Sequence, residues 1–254
     1  MMRSAGTASL LFCAAGLLFG QGRGPAPPPS GHAGAVIDLT GYWVSIVDED
    51  WRWRMVTPPK GDFASVPLNA EGRRIGNLWD PDKDEADGNQ CKAYGAAGLM
   101  RLPTRLHITW ADEMALLVES DAGRQRRLFH FGAFTPPGGA PQWQGDSAAS
   151  WARQVQSRGF APPFGGPAPG KGGALKVVTT HMRPGYLRKN GVPYGANAAL
   201  TEYFDRVEFE GESYLILTSV VDDPEYLSDT FITSEQFKLE HDSAKWNPQP
   251  CKAK

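Results

Sequence analysis

The segment ALTEYFDRVEFEGESYLILTSVV, residues 199–221, decides the fold. Two runs rich in Val, Ile, Thr, Tyr and Phe, Leu200–Glu208 and Ser213–Val221, flank the glycine-containing turn FEGES (209–213). Runs of that composition joined by so short a turn read as an antiparallel β-hairpin. Side chains alternate across a strand, so Glu202, Phe204, Arg206 and Glu208 share one face, opposite Thr201, Tyr203, Asp205 and Val207.

The same pattern recurs on either side of this hairpin. Gly41–Val47, Arg105–Trp110, Ala115–Ser120, Arg126–Phe131, Leu175–His181 and Phe231–Leu239 are short, β-rich and bounded by turn-forming residues. ADEM (111–114) and DAGRQ (121–125) read as hairpin turns. Eight such strands without a long helical period predict an all-β domain over 36–254. The expected form is an antiparallel up-and-down barrel, with a β-sandwich as the alternative. Trp43 and the Ile108/Trp110 face are expected to be buried. One short helix is predicted in the long loop region Val56–Leu99, over Asn69–Trp79, with Asn69 as N-cap and Arg73 and Arg74 outward. Gly159–Gly173, ten of whose fifteen residues are Gly or Pro, reads as an insertion, either merely tolerated or a cover over a site.

The first 20 residues carry one arginine and the apolar run Ala8–Phe19, and read as a secretory signal peptide. Phe12 before Cys13 opposes a lipoprotein anchor. Residues 21–35, with GRGPAPPPSGHAG at 22–34, read as a disordered Pro/Gly linker. Removal of the signal takes the formal net charge from −2 to −3, because Arg3 is its only charged residue. That charge, with no Lys/Arg cluster among aromatics, argues against nucleic acid as a partner. No later stretch is apolar enough to span a membrane. A periplasmic or secreted location is expected. Two cysteines then remain, Cys91 and Cys251, and an isolated pair in an oxidising compartment most simply forms a disulfide.

Three motif-like segments fail on mechanism. GGPAPGKG (165–172) has the spacing of a phosphate loop, but Gly172 stands where Ser or Thr holds magnesium. DPDKDEADGNQC (80–91) opens like a calcium loop, yet has Glu85 at its sixth and Cys91 at its twelfth position. GDSA (145–148) lacks the second glycine of a nucleophile elbow.

The remaining candidates sit on strands or strand ends. His107 shares a face with Arg105 and Thr109, His130 with Arg126 and Leu128, and His181 with Leu175, Val177 and Thr179. These faces either meet solvent or line a polar lumen in which His107, His130, His181 and Glu202 converge. In the second case the four are candidate acid–base residues, since histidine changes charge near neutral pH. A three-histidine metal site has no short-range spacing to support it, so no metal or organic cofactor is expected. Trp51 and Trp53, in an extended EDWRWRM, place two indoles on one face and Arg52 and Arg54 on the other. They are either a core pair or an aromatic platform, and Trp143 is a further candidate of that kind. Arg183, Tyr186 and Arg188 follow His181 in a loop and are candidates for meeting an anionic or phenolic ligand.

Several segments resemble a family of uncharacterised exported bacterial proteins common in acidobacteria and proteobacteria. WQGDSAASW (143–151) resembles its WQGxSxxxW segment, and TTHMRPGYLRKNGVP (179–193) its TTHxxxGxxRRNGxP segment. ALTEYF (199–204), VVDDPEYLSDTFI (220–232) and WNPQPC (246–251) are similar to further segments, with Thr230 where the family has proline. The resemblance implies export and a lipocalin-type barrel, to which Gly41-Tyr42-Trp43 adds a GxW on the first strand. Two functions are then expected as alternatives. One is binding of a small apolar or aromatic molecule in the barrel cavity. The other is a cofactor-independent lyase, isomerase or hydrolase using His/Glu chemistry there. The sequence sets no oligomeric state.

Overall fold

In the computed structural model, which describes residues 30–136, 138–153 and 173–254, nine strands close into a barrel. In chain order the strands are β1 (Gly41–Ile46), β2 (Arg105–Asp112), β3 (Ala115–Ser120), β4 (Ala122–Gly123), β5 (Gln125–Phe131), β6 (Asp146–Arg153), β7 (Gly173–Thr180), β8 (Gly185–Arg188), β9 (Val192–Tyr194), β10 (Ala199–Phe209), β11 (Glu212–Asp222), β12 (Phe231–Glu240) and β13 (Gln249–Pro250). Four short helices accompany them: α1 (Trp51–Arg54), α2 (Ala70–Gly76), α3 (Pro81–Ala86) and α4 (Ala96–Leu99). Around the barrel the order is β1-β12-β11-β10-β7-β6-β5-β3-β2, and β2 closes back on β1. The remaining four strands form two small two-stranded sheets, β8 with β9 and β4 with β13.

All eight predicted strands are present, and the barrel replaces the sandwich alternative. Two features differ from the expectation. β6 is a ninth barrel strand, built from DSAASWAR, whose Ser and Ala residues carry little β-propensity. It pairs parallel to β5, so the barrel is mixed instead of purely antiparallel. A parallel neighbour requires the chain to cross back between the two strands, and residues 132–145 make that crossing. Only three residue pairs, Phe129–Ser147, His130–Ala148 and Phe131–Ala149, join the two strands.

The barrel interior is filled by its own side chains. Trp43, Leu106, Ile108, Phe129, Leu175, Val177, Phe204, Leu215, Leu217 and Phe237 are all within 1% of complete burial. The Trp43 indole donates to the Leu39 carbonyl at 2.9 Å, so the largest core side chain leaves no buried donor unpaired. Trp110, Phe131 and Trp151 pack together at the edge of this core. His32 stacks on Trp110, and Trp151 donates to the Gly31 carbonyl. The end of the supposed linker, residues 30–35, is therefore held against the barrel, while 1–29 lie outside the described residues. Gly159–Gly172, including GGPAPGKG, also lie outside them.

A second apolar cluster caps one end of the barrel. Residues from the 63–97 region (Phe63, Val66, Leu68) pack with the β8–β9 hairpin (Leu187, Val192, Tyr194) and with Leu200, Val221 and Phe231 of the barrel rim. The predicted helix is shorter than expected, Ala70–Gly76, but starts where predicted, with Asn69 Oδ1 accepting from the Gly72 amide at 2.8 Å. DPDKDEADGNQC contains helix α3, capped by Asp80. Its Asp84 is buried and accepts from the Tyr186 hydroxyl at 2.7 Å and from Lys92. Among the described residues no helix is long and apolar enough to cross a membrane.

Between core and cap, the inward stripes turn polar. Arg127 on β5, Ser147 on β6, Thr179 on β7, Glu202 on β10, Ser219 on β11 and Glu235 on β12 are all buried. Arg127 grips Glu202 with both terminal nitrogens, at 2.9 and 2.5 Å, and reaches Thr179 at 3.2 Å. Thr179 in turn lies 2.8 Å from Ser147. Glu235 is met by Arg101 at 3.3 Å, and burial pushes its carboxyl above the usual range. This layer positions everything that follows.

Candidate functional site

The three histidines do not converge. On β2, β3, β5 and β10 the inward residues are Leu106/Ile108, Leu116/Val118, Arg127/Phe129/Phe131 and Glu202/Phe204, so alternation turns His107 and His130 outward. His107 stacks on Tyr42 at 4.2 Å and lies 3.1 Å from Glu119. His130 stacks on Phe134 at 4.0 Å with the rings nearly parallel. His181 follows the last residue of β7 and lies 2.9 Å from Asp146. Glu202 is inside, bound to Arg127. The polar-lumen expectation is therefore corrected: the interior at this level belongs to Glu202 alone of the four.

The proposed ligand-binding aromatics and arginines are dispersed as well. Trp51 and Trp53 lie on a helical turn, not an extended strand, with Trp51 exposed and Trp53 donating to Asp62 at 3.1 Å. Arg54, expected on the face opposite the two indoles, is buried, with Nε donating to the Arg101 carbonyl at 2.8 Å. Arg183 lies over the Trp143 ring at 4.2 Å and donates to Asn89. The Tyr186 hydroxyl is tied to Asp84, and burial beside that carboxylate raises its pKa. Arg188 is buried and donates to the Ala64 carbonyl and the Ser65 hydroxyl. These three hold the cap. Cys91 and Cys251 are joined in a disulfide.

What the fold does build is a groove on the outside of the β5–β6 seam, with a volume of about 590 Å³. Its apolar walls are Leu117, Leu128 and Phe134; His130 and Asp146 stand at its rim, and Arg127 and Gln144 line it from within. The cause is the short parallel ladder. Below Phe129 the two strands part, so the first half of β5 has β3 on one side and no β6 partner on the other. Gly145 makes the entry to β6 possible. Its φ of +56° and its approach to the Thr180 carbonyl, 2.4 Å from where a Cβ would sit, both require glycine.

Two buried polar atoms at this groove have no partner in the protein: Arg127 Nε, a donor, and Gln144 Oε1, an acceptor. The Gln144 amide nitrogen is already used, donating to the Tyr94 carbonyl at 2.7 Å and to Gln125 Oε1 at 2.8 Å. Buried polar groups are seldom left unpaired, and this donor and acceptor lie closed off behind the groove wall. Of the sequence candidates, the groove brings together His130 and, through Asp146, His181; His107 and Glu202 lie elsewhere. Among the described residues no group of three or more His, Cys, Asp or Glu is placed to hold a metal ion. No family model, no curated protein and no solved structure matches this chain.

Proposed function

We propose that this protein is an exported small-molecule carrier whose ligand lies in the β5–β6 groove. The ligand is a flat apolar or aromatic molecule with a head group that both donates and accepts a hydrogen bond, such as a carboxamide, a phenol or a carboxylic acid. The observation that carries this reading is the Leu117/Leu128/Phe134 wall with His130 and Asp146 beside it; Arg127 Nε and Gln144 Oε1 lie buried behind that wall and would meet the head group once a ligand parts the groove floor. Ligand sites are mostly apolar concavities with a few placed polar groups, and the groove has both. Because side chains fill the barrel interior, this reading puts the ligand at the outer seam instead of in the lumen, where the lipocalin resemblance would have it. Export is supported by the signal-like N-terminus and by the disulfide, which suits an oxidising compartment.

The test uses 1-anilinonaphthalene-8-sulfonate, an aromatic anion whose fluorescence rises on binding. The wild-type protein should bind it saturably. Leu128→Gln together with Phe134→Ala should weaken that binding at least tenfold. The Leu128 side chain is 44% exposed, so its replacement should leave unfolding within about 0.5 kcal/mol of wild type. Equal binding by the two proteins would move the ligand elsewhere.

A second reading has one observation in its favour. Asp146 lines the groove and holds His181, whose φ of +55° is rare for a residue other than glycine. Strained residues gather at functional sites. With Asp146 ionised, His181 Nδ1 must donate, which leaves Nε2 as the acceptor for a substrate proton. His181→Asn, which tolerates that backbone conformation, should abolish any turnover while sparing ligand binding.

A further inference from the structure

Where the barrel meets the cap, three arginines approach one another from separate segments: Arg54 on α1, Arg101 after α4 and Arg188 at the end of β8. All are at least nine-tenths buried, at 6%, 6% and 4% exposure. Together with Lys189 and Thr57 they line a small cavity of about 20 Å³. No carboxylate lines it. The carboxylates that answer these arginines lie on other sides: Asp50 and Glu235 both bind Arg101, and Asp62 faces Arg52 and Trp53.

Each guanidinium also has one nitrogen left over. Arg54 uses Nε and Nη1 on backbone carbonyls, Arg101 uses Nη1 and Nη2 on Glu235 and Asp50, and Arg188 uses Nη1 and Nη2 on Ala64 and Ser65. Arg54 Nη2, Arg101 Nε and Arg188 Nε are buried without a partner. Three unmet donors around one cavity ask for an acceptor, because a buried donor without a partner is costly, even though Asp50, Glu235 and Asp62 answer part of the charge from behind. A cavity of this size admits one particle of about the size of a water molecule. A water there would have two protons of its own to place and no carboxylate lining the cavity to take them, whereas an anion has none.

We propose that this cavity binds a single monatomic anion, with chloride as the occupant, held between Arg54, Arg101 and Arg188. The anion ties α1, the 101–104 turn and the β8–β9 hairpin to one another, so it acts as a fastening of the cap. Burial, with the neighbouring Arg101, pulls Arg188 down to about 10 and lowers Arg54 as well, against the partial offset of Asp50 and Asp62 on the one and Glu235, Asp48 and Asp50 on the other. The site is separate from the β5–β6 groove, and its occupancy does not depend on the function proposed there.

The experiment is thermal unfolding of the full mature chain as chloride replaces gluconate at constant ionic strength. The melting temperature should rise and then saturate, as linkage requires for a ligand that binds only the folded state. Arg188→Met should remove the rise, or need at least tenfold more chloride for it, while Arg126→Met, on the exposed outer face, should keep it. Because Arg188→Met also removes cap hydrogen bonds, Lys189→Met serves as the milder variant and should shift the midpoint of the chloride response in the same direction. Crystals grown in bromide should show one anomalous peak between the three guanidinium groups. Coincident curves in chloride and gluconate, an unchanged response in both cap variants, or water alone at that position would each overturn the proposal.

Discussion

Arg127→Met is expected to destabilise the protein by about 3–5 kcal/mol, and Glu202→Leu by a similar amount. Both side chains of the pair are fully buried, at 0% exposure each, inside the barrel. Their bonds are bidentate, so removing the arginine strands a buried carboxylate near the also buried Glu235, and removing the glutamate strands a guanidinium. The cost of a single variant is the uncompensated charge, not the worth of the pair. The double variant Arg127→Met/Glu202→Leu should therefore recover more than half of the loss, since apolar side chains of similar volume replace a buried pair at little cost. Urea denaturation of the four proteins gives the coupling energy directly. Single variants that lose less than about 1 kcal/mol would mean that water reaches the pair, and the groove floor would then be open to the barrel interior.

That pair shows where the sequence was readable and where it was not. The barrel was legible because alternation in 199–221 and its neighbours is strong, and because Ile108 and Phe129 fall on faces with other large apolar residues. The polar layer left a weaker trace. Arg127 shares its face with Phe129 and Phe131, and Glu202 shares its face with Phe204. Arg127 is a single charge at the end of its stripe, and the Glu202 face also carries Arg206 and Glu208, so neither pattern marks a buried ion apart from a solvated strand end. Its partner lies 75 positions away, and no local spacing can announce such a contact.

The histidines misled for the complementary reason. Which face of a strand turns inward is settled by the neighbours, and His107 and His130 lie on faces that also carry Arg105 or Arg126, which accept solvent. β6 escaped notice because Ser147, Ala148 and Ala149 are small. Yet that strand, paired parallel to β5, opens the groove. Helix α1 escaped because EDWRWRM alternates as a strand does, while Asp50, in a left-handed conformation with φ +52°, starts a single helical turn there. The turn carries Arg54 inward, so the anion cavity was hidden by a local conformation that alternation does not report.

The second large effect belongs to the disulfide. Titration of the native protein for free thiols should find none in the folded chain, and reduction should expose two. Cys91 and Cys251 are separated by 160 positions, and closing a loop of that length in the unfolded chain corresponds to about 5 kcal/mol in the chain-entropy account. The native contacts say where the loss appears first. Beyond β12 the tail is held by the two-residue β4–β13 ladder, by the Gln249 amide on the Asp121 carbonyl at 2.8 Å and by the Lys252 amide on the Tyr94 hydroxyl at 3.3 Å. Gly123, at φ +74°, lets Tyr94 and the Cys251 sulfur close over this turn; a Cβ there would lie 2.5 Å from the Tyr94 ring and 3.1 Å from the sulfur. Trp246 packs on Tyr42 and His107, and Ala253 and Lys254 reach Glu85, Asp82 and Lys189 at the far end, so it is the stretch between them, 249–252, that leans most on the covalent tie. Cys251→Ala should therefore lower global stability by up to about 5 kcal/mol. It should also abolish hydrogen-exchange protection at Gln249 and Lys252 while β10 and β11 stay protected under native conditions. Retention of protection at both amides in the variant would show that the β4–β13 ladder and the Tyr94 contact hold the tail unaided, and the disulfide would then act on the unfolded chain alone.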